Sequence, residues 1–296
     1  MAALTLSDAF CHLPIMSDDK PGTHRFDDPE SQLSAEEKDN VTANLPPRAA
    51  VLHETIRTQG EEELKRVVSA LWWSALAAGL SMGFSMVAKG VLHAYLPPGG
   101  VNHLISNLGY SVGFLVVIIA RQQLFTENTL TAVLPLMTQP TQAKLLKLLR
   151  LWGVVLVGNL VGVTLFAAGV AYGDLFGDPV RASFVSLGEE VMKNTATQMF
   201  TKGIVAGWLI ATMVWLIPAV HESKIVIITV MTYLIGVANF THIIAGATEI
   251  AYLVFVGNIS AAEGIFRFGV PTLLGNIVGG AFIFALISHA QVRREV

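Results

Sequence analysis

Beyond residue 66 the chain runs in long apolar stretches divided by short polar ones, whereas the first 48 residues are largely polar. The apolar stretches predict six membrane spans. Span 1 covers about 67–92 and ends at Pro97-Pro98-Gly99-Gly100; spans 3, 4 and 6 cover about 148–172, 197–218 and 270–288. Span 2 starts near Leu104 and is interrupted, because Arg121-Gln122-Gln123 arrives before the hydrophobic depth is used up. A second apolar piece then continues to Met137. Span 5, about 225–256, is too long for one helix crossing a core of about 30 Å and breaks between Asn239 and Gly246. Lipid-facing backbone cannot be irregular, so both breaks should be buried in protein or line a cavity.

Residues 1–48, with Asp18-Asp19-Lys20-Pro21-Gly22 and Asp27-Asp28-Pro29-Glu30 as breakers, read as a disordered acidic arm. Residues 49–66 read as a charged amphipathic lead-in helix with Val51, Leu52, Ile56 and Leu64 as its apolar positions. Residues 67–296 hold the spans, with a polar connection over 173–193 between two halves, about 67–172 and 197–290. The halves share a pattern. Phe125-Thr126-Glu127 precedes Gly158-Asn159-Leu160-Val161-Gly162, and Phe240-Thr241-His242 precedes Gly275-Asn276-Ile277-Val278-Gly279. A three-span repeat must enter the bilayer from opposite sides. The expected fold is therefore an all-α membrane protein of two inverted repeats, with spans 2 and 5 broken at equivalent places. Such paired breaks point to a transport site.

Composition agrees with this class. Hydrophobic residues make up 53% of the 296-residue chain and charged ones 14%, against roughly 25% charge in soluble domains; the mean hydropathy is +0.57. A net charge of −3 suggests no nucleic-acid partner. The lone cysteine, Cys11, offers no intrachain disulfide framework. The start lacks the basic and apolar regions of a cleavable signal peptide. Lys65, Arg66, Lys144, Lys147, Arg150, Lys224, Arg293 and Arg294 flank one side, and Lys89, Arg181, Lys193, Lys202 and Arg267 the other. That excess places both termini in the cytoplasm. No Walker A sequence, nucleophile elbow or His-Glu-x-x-His occurs, and neither an enzyme nor a cofactor is expected.

His242, in the span-5 break, is the sharpest candidate: an intramembrane imidazole is costly unless it faces a bundle interior or wet cavity. It either donates to an anion, exchanges a proton with it, or bonds backbone freed by the break. Phe125 and Thr126 match Phe240 and Thr241; a Phe in the break narrows a pore, while Phe240 reads as packing. Glu127 and Glu249 are each a proton carrier or a structural carboxylate, Glu127 through an ion pair with Arg121, and Glu249 two helical turns beyond His242. Lys193 and Lys202, ahead of span 4, either draw anions to the pore mouth or are solvated loop lysines. Asn159 and Asn276 read as helix-contact residues beside their glycines.

Four motifs occur in the order seen in formate/nitrite transporters: 124–129 (Leu-Phe-Thr-Glu-Asn-Thr), 158–162 (Gly-Asn-Leu-Val-Gly), 240–242 (Phe-Thr-His) and 271–280 (Pro-Thr-Leu-Leu-Gly-Asn-Ile-Val-Gly-Gly). From about Ala49 onward the chain resembles that family, and its acidic arm and the stretch 207–215 look most like the YfdC-like inner-membrane branch. The resemblance implies an aquaporin-like six-span protomer, five protomers per assembly and one pore in each. It places Phe125 and Thr126 at the cytoplasmic-side constriction and mobile loop, Phe114 at an apolar constriction, His242 at the central histidine and Ile210 at an apolar pore position. Four departures follow. Thr241 replaces a glutamate beside the histidine, Gly207 replaces a pore asparagine, Ile235 replaces an aromatic, and Glu127 replaces the glycine of the loop. The family's central lysine falls near Val191, two residues from Lys193.

The expected function is thus an inner-membrane channel or proton-coupled transporter for small monovalent anions or their neutral acids. Its partners would be the lipid bilayer, a small monocarboxylate or similar anion, and four more copies of itself. The alternatives are a pore for a small neutral solute, or an occluded regulatory protein whose acidic arm recruits a cytoplasmic partner.

Overall fold

The structure, a computed structural model, describes residues 33–220 and 222–295, and their regular structure is helical throughout. The chain divides into two units, one ending at Pro46 and one starting at Pro47. In the first, α1 (Ala35–Asn44) is helical where the sequence suggests disorder. The reason is local: the Ser34 amide donates to the Glu37 carboxylate (2.8 Å) and the Glu37 amide to the Ser34 hydroxyl (3.2 Å), a reciprocal cap. The remainder of the predicted arm, 1–32 with Cys11, lies outside the described residues, as does the side chain of Arg294.

The second unit opens with α2 (Ala49–Lys65), whose buried residues are Leu52, His53, Ile56, Gly60 and Leu64. The steps of four set one face against the bundle, and Val51, predicted to be on it, is exposed instead. Next come α3 (Val68–Tyr95), α4 (Gly100–Ser106), α5 (Ser111–Ile119), and two short helices, α6 (Asn128–Thr131) and α7 (Val133–Thr138). After α8 (Gln142–Tyr172) the predicted polar connection is itself a helix, α9 (Asp178–Met192). Pro179 sits in its first turn, and Val180, Phe184, Leu187 and Gly188 bury one face. The second half holds α10 (Ala196–Leu216), α11 (Lys224–Val237) and α12 (Ile243–Phe255). A continuous C-terminal helix then comprises α13 (Ala261–Glu263), α14 (Val270–Ile277) and α15 (Ala285–Glu295), joined by π-helical turns at Gly264–Gly269 and Val278–Phe284. It starts before the predicted 270 because Ser260 and Glu263 cap each other. The first π turn lies just before Pro271, which cannot donate to the ladder.

Among the described residues five helices are long and apolar enough to cross a membrane: Val68–Tyr95, Gly100–Ile119, Gln142–Tyr172, Ala196–Ala219 and Ala261–Arg293. The helices Lys224–Val237 and Ile243–Phe255 are shorter; at 1.5 Å per residue, neither alone reaches across about 30 Å of hydrocarbon. Large apolar side chains such as Trp73, Phe84, Phe266 and Phe282 stand exposed along the long helices, as expected of surfaces that meet lipid or another subunit.

Two helix crossings recur. On α3 and α8, a Cβ on Gly79 would strike the Asn159 carbonyl, and Gly162 lies against Gly79. On α10 and α14, a Cβ on Gly207 would strike the Asn276 carbonyl, and Gly275 lies against Gly203. Small residues thus bring the backbones together in each half, so that packing and backbone-directed hydrogen bonds hold the helices where lipid offers no hydrophobic drive.

Candidate functional site: two helix breaks clamped by asparagines

The breaks between α5 and α6 and between α11 and α12 are built alike. Each carries one left-handed residue, Arg121 and Asn239, both at φ 52°. The Gln122 amide reaches back to the Val117 carbonyl (2.9 Å), as that of Phe240 does to Ile235 (3.0 Å). An asparagine then clamps each break. Asn159 Oδ1 accepts from the Phe125 amide (2.9 Å), and its Nδ2 donates to the carbonyls of Gln123 and Ala75 (both 2.8 Å). Asn276 Oδ1 accepts from the Ile243 amide (2.9 Å), and its Nδ2 donates to those of Thr241 (3.0 Å) and Gly203 (2.8 Å). These asparagines therefore do more than line a contact: they satisfy the backbone groups that the breaks release.

The clamps also give the structural register of the repeat. Arg121 corresponds to Asn239, Gln123 to Thr241 and Phe125 to Ile243. The matching Phe-Thr pairs in the sequence are three residues out of this register. His242 accordingly stands opposite Leu124, and the second half alone brings an imidazole to the centre.

His242 is buried and caps α12: the Ala245 amide donates to its Nδ1 (3.2 Å). With that nitrogen accepting, the neutral ring carries its proton on Nε2, which lies 2.8 Å from Thr126 Oγ1. The ring donates to Thr126, leaving the hydroxyl proton of Thr126 available to another acceptor. The Phe114 ring packs edge-on to His242 with centroids 5.0 Å apart, and Phe125 packs on Trp152 at 5.7 Å. Phe114, Phe125, Ile210 and Ile235 are all buried.

A vestibule of about 540 Å³ lies beside this centre, with Lys89, His103, Asn107, Glu190, Val191 and Asn239 among its lining residues. A second space of about 30 Å³ shares Lys89, Glu190, Val191 and Asn239 with it and reaches Tyr110, Thr241, His242 and Glu249. That volume suits one or two waters.

The other predicted residues are placed as follows. Gly207 sits at the α10–α14 crossing, where an asparagine side chain has no room. Arg121 has a left-handed backbone, is exposed and makes no ion pair with Glu127 among the described residues, its guanidinium being met by solvent rather than by the half-buried carboxylate. Lys193 is exposed and paired with Glu190 at 2.6 Å, and Lys202 donates to Asn194 Oδ1 at 2.7 Å. Val191, where the resemblance places the family's lysine, lines both cavities, and Lys193 lines neither. Sequence reasoning passed over Lys89, counted only as a flanking charge. The available signal was an ammonium six residues inside the end of a long apolar helix.

Comparison with known proteins bears on this arrangement. The chain is 49% identical over 287 residues to the inner membrane protein YfdC of Escherichia coli, covering 95% of this chain and 92% of that one. It is 26% identical to the formate channel FocA of Haemophilus influenzae over 65% of this chain and 75% of that one. Among solved structures, its fold matches a pentameric formate channel with formate bound (TM-score 0.67, 22% identity, 77% of this chain and 98% of that one). It also matches an ion channel of the same family (TM-score 0.72, 23% identity, 81% and 98%). The formate/nitrite transporter model matches residues 50–290, and the chain belongs to the formate/nitrite transporter family, whose members are channels and transporters rather than enzymes.

Proposed function

We propose that the chain forms a homopentamer in an inner membrane, with a pore in each protomer for small monovalent anions of the formate/nitrite class or their neutral acids. In this reading the membrane unit crosses six times, α4–α7 and α11–α12 being the interrupted second and fifth crossings. Both termini are cytoplasmic, α2 lies at the cytoplasmic end, and residues 1–48 form an arm able to recruit a cytoplasmic partner.

The observation that carries the reading is the 2.8 Å contact of Thr126 with His242. It joins the two breaks next to a polar space and beneath the buried Phe114 ring. A bare anion loses hydration at an apolar constriction, at a cost of several kcal/mol. Thr126, its oxygen held by the His242 N–H, is positioned to donate its hydroxyl proton to an anion's oxygen. His242 acts here chiefly as a neutral donor, since protonating Nδ1 would release the Ala245 amide from its cap. A weak acid would pass Phe114, Ile210, Ile235 and Phe125 most cheaply in its protonated form.

Stopped-flow flux into proteoliposomes, with formate, nitrite, acetate and hydrosulfide at two pH values, tests the reading. Saturable or pH-dependent uptake that is lost in His242→Phe is the expected result. Well-folded pentamers carrying none of the four would overturn it in favour of an occluded protein, for which burial of Phe114 and Phe125 is the favouring observation.

A further inference from the structure

Lys89 has a place in the molecule that the pore reading does not use. It is only 9% exposed and lines both the vestibule and the small space that reaches His242. It therefore stands at the throat between them. Its Nζ lies 5.6 Å from the Tyr110 ring centroid, within cation–π range. Among the described residues that nitrogen makes no hydrogen bond, and no carboxylate comes within 4 Å of it, whereas the two lysines at the rim are each held by a partner. An ammonium has three protons to donate, and leaving them unmet at this depth is costly unless water or a ligand accepts them.

Glu249 lines the same small space and is 4% exposed, with no hydrogen bond or ion pair among the described residues. Lys89 lines that same space, so the two side chains border one cavity. An anion entering there would meet both side chains. Charges bordering one small space interact strongly where water is scarce. Glu249 would then keep a bound anion from staying.

We propose that Lys89 is the anion-binding cation of this throat and Glu249 its counter-charge, so that a small oxyanion pauses at Lys89 before it reaches Thr126 and His242. The proposal rests on the anion-pathway reading above. It assigns to α3 the charge that Val191 lacks, and makes Glu249 a residue that sets affinity.

The test pairs formate with formamide, a neutral solute of similar size, in proteoliposomes, and adds formate-dependent thermal stabilisation of the purified protein. Lys89→Met should raise the formate KM roughly tenfold, a change of the size expected for losing one charge contact. It should leave formamide permeability unchanged and abolish stabilisation by formate. Lys89→Arg should restore most of the affinity, and Glu249→Gln should lower the KM. An unchanged formate KM in Lys89→Met overturns the proposal, as does an equal fall in both solutes, which marks a purely structural lysine. If the wild-type protein carries none of formate, nitrite, acetate and hydrosulfide, the pore reading fails by itself. Stabilisation by formate that depends on Lys89 would then still uphold the binding site, and its absence in the wild type would overturn both.

Discussion

Thr126 and His242 are separated by 116 positions and lie 2.8 Å apart, hydroxyl oxygen to Nε2, each fully enclosed by the bundle. The imidazole has no freedom at its other nitrogen, which caps α12. Thr126→Val therefore strands a buried N–H, at a cost of about 1–3 kcal/mol, and removes the hydroxyl to which the proposed pore gives a donor role. Thr126→Ser should keep both stability and flux. Thermal unfolding in detergent together with formate flux separates the two variants, and equal behaviour would contradict the hydrogen-bonded role.

Asn159 and Asn276 each hold three backbone groups. Replacing either with leucine, of similar size, leaves those groups unpaired in a setting without water. The expected loss is about 3 kcal/mol or more, seen as a fall in the yield of folded protein and in melting temperature. A melting temperature within a degree of wild type would show that the breaks support themselves.

Gly207→Asn, which writes in the residue the family pattern has there, should be strongly destabilising. Its Cβ would enter the Asn276 backbone at the helix crossing, and overpacking of this kind costs about 1–3 kcal/mol or more. Gly153→Ala, where a Cβ meets nothing within 4 Å, is the matched control and should behave as wild type. Size-exclusion profiles of the two variants give the comparison.

His53 on α2 meets His289 on α15, Nε2 to Nδ1 at 3.0 Å, with the Trp215 ring beside it. Burial, then the neighbouring His289, holds the His53 imidazole below its ordinary value of 6.5. A base depressed in the folded state takes up its proton more readily once α2 lifts away. Docking of α2 is therefore complete above pH 6.5 and weakens as the pH falls below it. The protection factors of the 49–65 amides, with the intrinsic pH dependence of exchange divided out, should fall between pH 7.5 and pH 5.5 in the wild type and much less in His53→Phe. A flat profile in the wild type would rule out this linkage.

Much of the architecture was legible from hydropathy and repeat alone. The apolar stretches of α3, α8 and α10 announce helices because no water is available to satisfy a lipid-facing backbone, and Arg121-Gln122-Gln123 and Asn239 betray the breaks by their polarity at depth. Less local features were not legible. The α9 helix hid behind a polar composition although Pro179 and the spacing of Val180, Phe184, Leu187 and Gly188 encoded it. The Ser34–Glu37 cap likewise turned part of an apparently disordered arm into α1.

By itself the sequence determined the membrane class and the helical content, because each depends on the order of apolar and polar groups along the chain; it also singled out the two breaks and His242 as candidates for a polar centre. Tertiary structure alone decided the register between the halves. The Asn159 and Asn276 clamps align Phe125 with Ile243 rather than with Phe240, since side-chain reach across a helix crossing, and not motif similarity, selects the backbone groups that are satisfied. It also decided which lysine lines the cavities beside His242. Lys193 and Lys202 are held by Glu190 and Asn194, while Lys89, distant from both in sequence, is carried to the small space that reaches His242 by the packing of α3 against α5 and α9.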